Sequence, residues 1–244
     1  RRIIILPSLY FVLPNILQID LRVDKMKSWD LWFKSVGRKT TKKYKAKIEE
    51  LYDKYALYPL NPLESVFLPY KLTPLDEVKV VIINDKPSPL PNQAHGLALS
   101  SLSGITKELY NVFTAIEEQL DIKCDYNNTD LTRWAEQGVL LLNKTPVVPI
   151  YYKLDHKFSE GEEVFKNYMI SLILFLIKDK KPKVFINLGT NTNINYFLDY
   201  FLSEEEKVHR IYYLYNPKYP KFFESSQDVF KGTNEFLKNI GEEE

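Results

Sequence analysis

Val78-Lys79-Val80-Val81-Ile82-Ile83-Asn84 runs without a break into Asp85-Lys86-Pro87-Ser88-Pro89-Leu90-Pro91-Asn92-Gln93-Ala94-His95-Gly96-Leu97-Ala98-Leu99-Ser100. The first part is almost wholly β-branched and apolar, which predicts a strand covered on both faces. The prolines at 87, 89 and 91 fix φ and remove donors, so the second part reads as a stiff, extended loop. Open α/β sheets place their ligands at the carboxyl ends of such strands, so this loop is the expected position of a site.

Working outward, Leu131–Asn143 reads as a short helix running into a second buried strand, and Lys183–Gly189 and Arg210–Asn216 read as further strands. Between and around them the spacing predicts helices. Thr106–Leu120 carries a buried stripe of Leu109, Val112, Phe113, Ile116 and Leu120. Gly161–Asp179 is long and amphipathic, and shorter helices cover Ile194–Leu202 and Gln227–Ile240. Ser28 reads as the N-cap of a short helix over Trp29–Val36. A further helix keeps Ile48, Leu51, Tyr52 and Tyr55 on one face, after the basic run Arg38-Lys39-Thr40-Thr41-Lys42-Lys43-Tyr44-Lys45-Ala46-Lys47. The order of pieces gives an α/β fold in three layers: a four-stranded parallel sheet with helices on both faces. Residues 27–244 form that domain, and 1–26 form an apolar, proline-punctuated N-terminal arm that packs on this domain or on a neighbour.

Composition narrows the function classes. Of 244 residues, 33 are Lys or Arg and 32 are Asp or Glu, a formal charge of +1, so the net basic balance of a dedicated duplex-DNA reader is missing. One cysteine, Cys124, excludes an internal disulfide and a cysteine-based zinc site. Three separated histidines, His95, His156 and His209, give a metal centre no support, and no cofactor is called for. No apolar run is long enough for a membrane span. The first residue is not Met, which suggests a processed leader or a missing start and favours an organelle over the nucleus or cytoplasm.

The proline loop resembles a signature of the family-1 uracil-DNA glycosylases, Gly-Gln-Asp-Pro-Tyr-His-Gly-Pro-x-Gln-Ala-His-Gly-Leu-x-Phe-Ser. Pro91, Gln93-Ala94-His95-Gly96-Leu97 and Ser100 match it, whereas its left half keeps only Pro87. Leu131-Thr132-Arg133-Trp134-Ala135-Glu136-Gln137-Gly138-Val139-Leu140-Leu141-Leu142-Asn143 is similar to the family's second signature. Phe230-Lys231-Gly232-Thr233-Asn234-Glu235-Phe236-Leu237 resembles its closing helix, so the resemblance covers roughly residues 27–240. It implies a protein that flips a uracil nucleotide from the stack and breaks its bond to deoxyribose. That step builds positive charge on the sugar and negative charge on uracil, so it needs a carboxylate near one and a donor near the other.

Position by position, the resemblance places Lys86 where the family has its catalytic Asp, with Asp85 at the preceding Gln. Ser88 stands for the Tyr that excludes thymine, Leu99 for the Phe that stacks on uracil, and Asn216 for the His that steadies the uracil anion. Asn143, the base-reading amide, is kept, and Gly189-Thr190 stands for the phosphate loop. A cation at Lys86 opposes a sugar cation by roughly 4 kcal/mol at about 4 Å and an effective dielectric of about 20. Asp85 is expected to face the other way, because adjacent side chains of an extended segment alternate.

The sequence therefore predicts a catalytically inactive relative, with Leu99 and Asn143 as a vestigial base pocket, serving as a structural subunit of a protein or ribonucleoprotein assembly in mitochondria or another organelle. Nucleic-acid contacts are expected at Arg38, Lys39, Lys42, Lys43, Thr190 and Lys218, against the plainer reading of a solvated helix face for the basic run. The alternative is a divergent uracil-DNA glycosylase or replication accessory factor in base-excision repair, with a mechanism moved to Asp85, Lys86 or Asn143. A third reading is a small-ligand binder using the cavity beside Leu99 and Asn143.

Overall fold

The computed structural model describes residues 28–149, 160–179, 181–189 and 208–242. The arm 1–26, His156, Thr190 and the helix expected over 194–202 lie outside the described residues.

Four parallel strands, β2 (Val80–Asn84), β3 (Val139–Asn143), β5 (Val184–Leu188) and β6 (Arg210–Leu214), form one sheet in the order β3-β2-β5-β6. Leu57–Tyr58 (β1) and Val148–Pro149 (β4) form a small antiparallel pair apart from it. Alternation along each strand divides the core in two. Val80, Ile82, Val139, Leu141, Val184, Ile186 and Leu188 face one side. They pack on α4 (Lys107–Leu120), the short α5 (Thr132–Ala135), α7 (Lys221–Ser225) and α8 (Val229–Asn239) through Leu109, Phe113, Trp134, Phe222 and Phe230. Val81, Ile83, Leu140, Leu142 and Phe185 face the other side, against α1 (Arg38–Lys54) and α6 (Glu162–Lys178), while the short α2 (Pro62–Ser65) and α3 (Leu68–Leu72) connect β1 to β2. The three-layer architecture read from the sequence is the one the chain adopts.

The second face is rich in aromatic rings. Tyr44 stacks on Tyr168 with centroids 4.0 Å apart, and the Tyr168 hydroxyl donates to the Tyr70 hydroxyl at 3.0 Å. Burial holds all three phenols above their ordinary range, so they stay protonated and act as hydrogen-bonding core residues. Trp29 and Trp32 are buried there too, and the Trp29 indole N–H donates to the Thr73 carbonyl at 2.8 Å. Three expectations are corrected here. The helix expected over Trp29–Val36 is present at residues 30–36, π-type over Trp32–Val36, but its N-terminus has no side-chain cap and Ser28 Oγ accepts from the Leu75 N–H. The basic run is itself the first half of α1, with Tyr44 turned inward. Tyr52 is exposed, since the stripe passes through Thr41, Tyr44, Ile48 and Leu51.

The loop after β2 is tied down by polar contacts that explain its matching residues. His95 Nε2 lies 2.6 Å from Ser100 Oγ, which accepts the Leu131 N–H at 2.8 Å. Gly96 has φ of +116°, and a Cβ there would meet the Ser65 carbonyl oxygen at 2.0 Å, so only glycine fits. His95 thus holds the loop through Ser100. Burial lowers its pKa from the ordinary 6.5, against a smaller upward pull from Asp130.

This packing sets the cost of two substitutions. Thr106 caps α4 by accepting the Leu109 N–H at 3.1 Å, and Leu140 is fully buried on β3. In urea denaturation Thr106→Ala should cost about 1 kcal/mol, whereas Leu140→Ala should cost about 2–5 kcal/mol. The folded His95 imidazole binds a proton less readily than the unfolded one. Its contribution is therefore complete above the unfolded value near 6.5 and is lost as pH falls through the lower folded value. Melting curves between about pH 7 and 5 should show the wild type losing stability with a steeper slope than His95→Gln.

Candidate active site

Chain order places β3 on one side of β2 and β5 on the other, so the sheet changes direction between β2 and β5. The carboxyl ends of strands at such a switch point form a crevice, and Asp85 is the first residue beyond β2 there. Pairing continues past the strands: the Lys144 N–H donates to the Asn84 carbonyl at 2.8 Å and the Thr145 N–H to the Asp85 carbonyl at 2.9 Å. Backbone pairing thus fixes Asp85 and Lys144 side by side before their side chains interact.

The Asp85 carboxylate gathers the other strand ends around itself. Oδ1 lies 2.7 Å from the Lys144 ammonium, and Oδ2 accepts the Asn216 side-chain N–H at 3.0 Å. Gly189, just after β5 with φ of +111°, comes so close that a Cβ on it would sit 2.5 Å from Asp85 Oδ2. Lys144 is buried, 7% exposed, while the Asp85 side chain is 38% exposed, so the pair has a covered cation and an anion open to solvent. The Lys144 contact is an ion pair and not an aligned hydrogen bond. Asp85 was expected to face away from the other site positions. Instead Asp85 meets Lys144, Asn216 and Gly189, while Lys86 is exposed with no ion pair among the described residues.

On the neighbouring positions Asn84 and Asn143 pair in register at the ends of β2 and β3. The Asn84 NH2 donates to Asn143 Oδ1 at 3.3 Å and to the Lys86 carbonyl at 3.0 Å, which turns the chain into the proline loop. Asn84 Oδ1 is buried and has no hydrogen-bond partner among the described residues. Ser88 Oγ donates to Gln93 Oε1 at 2.6 Å and accepts the Leu90 N–H, so its hydroxyl shapes the loop. Leu99, with φ of +65°, is buried in the core rather than open to a pocket. A cavity of about 10 Å³ lies beside Asn143, lined also by Tyr70, Gly96 and Leu142.

The expected nucleic-acid contacts divide. Arg38, Lys39, Lys42 and Lys43 are exposed on the first turns of α1. Lys218 lies at the crevice, its N–H bound to Asn216 Oδ1 at 2.9 Å, and Tyr215 and Tyr219 beside it are exposed. Lys144, the ion-pair partner of Asp85, was not singled out from the sequence. It read only as part of a Lys-Thr-Pro turn, and its charge partner becomes visible only when β2 and β3 are aligned. Among the described residues no group of three or more His, Cys, Asp or Glu side chains could hold a metal ion, and no helix is long and apolar enough to cross a membrane.

Comparison with known proteins bears directly on this site. No family model matches the chain. Its sequence is 34% identical over 200 residues to "Uracil-DNA glycosylase 2" of Bacteroides fragilis, covering 79% of this chain and 84% of that one. It is 30% identical over 209 residues to the uracil-DNA glycosylase of Fusobacterium nucleatum, covering 83% and 86%. Among solved structures, mimivirus uracil-DNA glycosylase superposes with a TM-score of 0.69 at 19% identity, covering 95% of this chain and 92% of that one. These relatives are named as enzymes and match across about four fifths of this chain, so the expectation of an inactive mitochondrial structural subunit is corrected. Lys86 marks the loss of one carboxylate position and not of every carboxylate, since Asp85 stands one residue away among the strand ends. By sequence and by fold, the chain belongs to the uracil-DNA glycosylase family.

Proposed function

We propose that this chain releases uracil from DNA by hydrolysing the bond between the base and deoxyribose, with Asp85 as the carboxylate that faces the sugar. The observation that carries this reading is the Asp85 carboxylate, held at the switch point by Lys144 and Asn216 with its open side toward solvent. As the C1′–N1 bond breaks, its electron pair leaves with uracil and positive charge grows on the sugar. A fixed carboxylate lowers that barrier because its orientation is set before the reaction begins. A water adding to C1′ then passes a proton to the same carboxylate, and the products are free uracil and an abasic sugar.

Base recognition falls to the paired amides. Uracil presents an N3–H donor between two carbonyl acceptors. The buried Asn84 Oδ1 is an acceptor without a partner among the described residues, and it suits an imide N–H. Asn143, whose Oδ1 already takes the Asn84 amide, has its own NH2 to offer a uracil carbonyl. DNA contacts in this reading lie at Lys218 and the exposed tyrosines of the same loop, with the α1 cations as a second patch.

Gel assay of a uracil-containing single-stranded oligonucleotide tests the assignment. Wild type should cleave, Asp85→Asn should slow release by about 100-fold or more, and Lys86→Ala should stay within about 10-fold of wild type. Absence of release by the folded wild type, or an Asp85→Asn rate equal to it, would overturn the assignment.

A further inference from the structure

Two lysines of the described residues are buried against carboxylates at opposite ends of the parallel strands. Lys183 pairs with Asp179 at 2.6 Å ahead of β5, away from any strand end that bears the site. Lys144 pairs with Asp85 at 2.7 Å beyond β3, within the crevice. The glycosylase reading uses the second pair only to orient Asp85, which leaves a primary amine beside the reacting sugar with no role of its own.

We propose that Lys144 is an amine nucleophile toward abasic DNA, giving this chain a strand-cleaving lyase activity that follows uracil release. The proposal rests on the reading above in one respect: it takes C1′ of deoxyribose to lie against Asp85. Nζ starts 2.7 Å from that carboxylate on its covered side, so the attack requires the Lys144 side chain to turn toward the open side once the abasic sugar is bound. The substrate is the ring-opened form of the abasic sugar, whose C1′ is an aldehyde. Lys144 Nζ gives a proton to Asp85 Oδ1 and attacks C1′, and the carbonyl π pair moves to oxygen, which takes a proton. Loss of that oxygen as water leaves a protonated imine between Nζ and C1′. The imine acidifies C2′–H. Removal of that proton by a carboxylate drives the electrons toward C2′–C3′, and the C3′–O bond breaks with its pair leaving on the 3′ phosphate. Water then hydrolyses the imine and returns the amine, so no oxidant or reductant is consumed.

The position of the amine argues for Lys144 over the lysine the sequence first suggested. Lys86 is exposed and no carboxylate stands beside its amine among the described residues. Lys144 has the proton acceptor in place, and its own backbone is locked by the bond to the Asn84 carbonyl. Burial also limits competing water at Nζ, which helps an amine attack carbon.

The test uses the full chain and a single-stranded oligonucleotide with a preformed abasic site, incubated with sodium borohydride, which reduces the imine to a stable amine. Wild type should give a covalent protein–DNA band on a denaturing gel, and mass spectrometry of its peptides should place the adduct on Lys144. Lys144→Arg, which keeps a cation beside Asp85, should lose the band, and Lys86→Ala should keep it. A folded wild type without a band, or an adduct mapped to any other residue, overturns the proposal, and the mapping decides even if Lys144→Arg fails to fold. Because the abasic site is preformed, trapping does not depend on uracil excision. Uracil release without trapping would sink the lyase alone, and trapping without release would sink the glycosylase reading alone.

Discussion

A strand paired along both edges and covered on both faces has no freedom left except at its end, and β2 is such a strand. Its pairing with β3 runs from Val80 to Asn84, its pairing with β5 from Val80 to Ile83, and every one of its residues is buried. Shifting it by one residue would exchange the sets Val80, Ile82 and Val81, Ile83 between two different cores. The register is therefore fixed by the hydrophobic effect, far from any charge. The residues just beyond the strand inherit that precision: Asp85 has its place because four apolar residues before it cannot move.

Charge at the crevice is then arranged at low cost. Bringing a lysine from water into a buried position is unfavourable unless a partner offsets the lost hydration. Lys144 meets that condition because the Lys144 N–H to Asn84 carbonyl bond already holds its backbone beside Asp85. Asn216 takes the second carboxylate oxygen from the end of the sheet's far side, so the anion is restrained from two directions while one side stays open. Gly189 lets these groups converge, since any side chain there would occupy the position of the carboxylate. A preorganised anion of this kind serves a developing cation better than a mobile one, because no reorientation is needed during the reaction.

Much of the fold could be read from the residues alone. The strands expected at 78–83, 183–189 and 210–216 lie within two residues of their observed limits, and Leu109, Val112, Phe113 and Ile116 form the buried face of α4 as their spacing required. Trp134 and the short helix before β3 also fall where the second signature placed them. The aromatic layer was less legible. Tyr44 lies within a run of lysines whose period is dominated by charge, and only the tertiary contact with Tyr168 shows that it faces inward. At the site, alternation implied that Asp85 turns away from the other strand ends, which its contacts with Lys144 and Asn216 overturn. Which side met the other strand ends depends on strand order and on where the loops after β3 and β6 return, and neither is written in local periodicity.

That distinction explains why activity is misjudged when each substitution is taken as an independent loss, with Lys86 and Asn216 counted as two deletions from a fixed machine. In three dimensions the changed positions are coupled. The carboxylate at 85 contacts the amide at 216 on one oxygen and the lysine at 144 on the other. Removing the carboxylate alone would leave Lys144 a buried charge without its partner, and removing the ammonium alone would leave Asp85 without the cation that orients it. The two residues stabilise one another, and they make sense only as a pair. Such pairing across strands is how a crevice can exchange one set of charged groups for another while the strands beneath it keep their register.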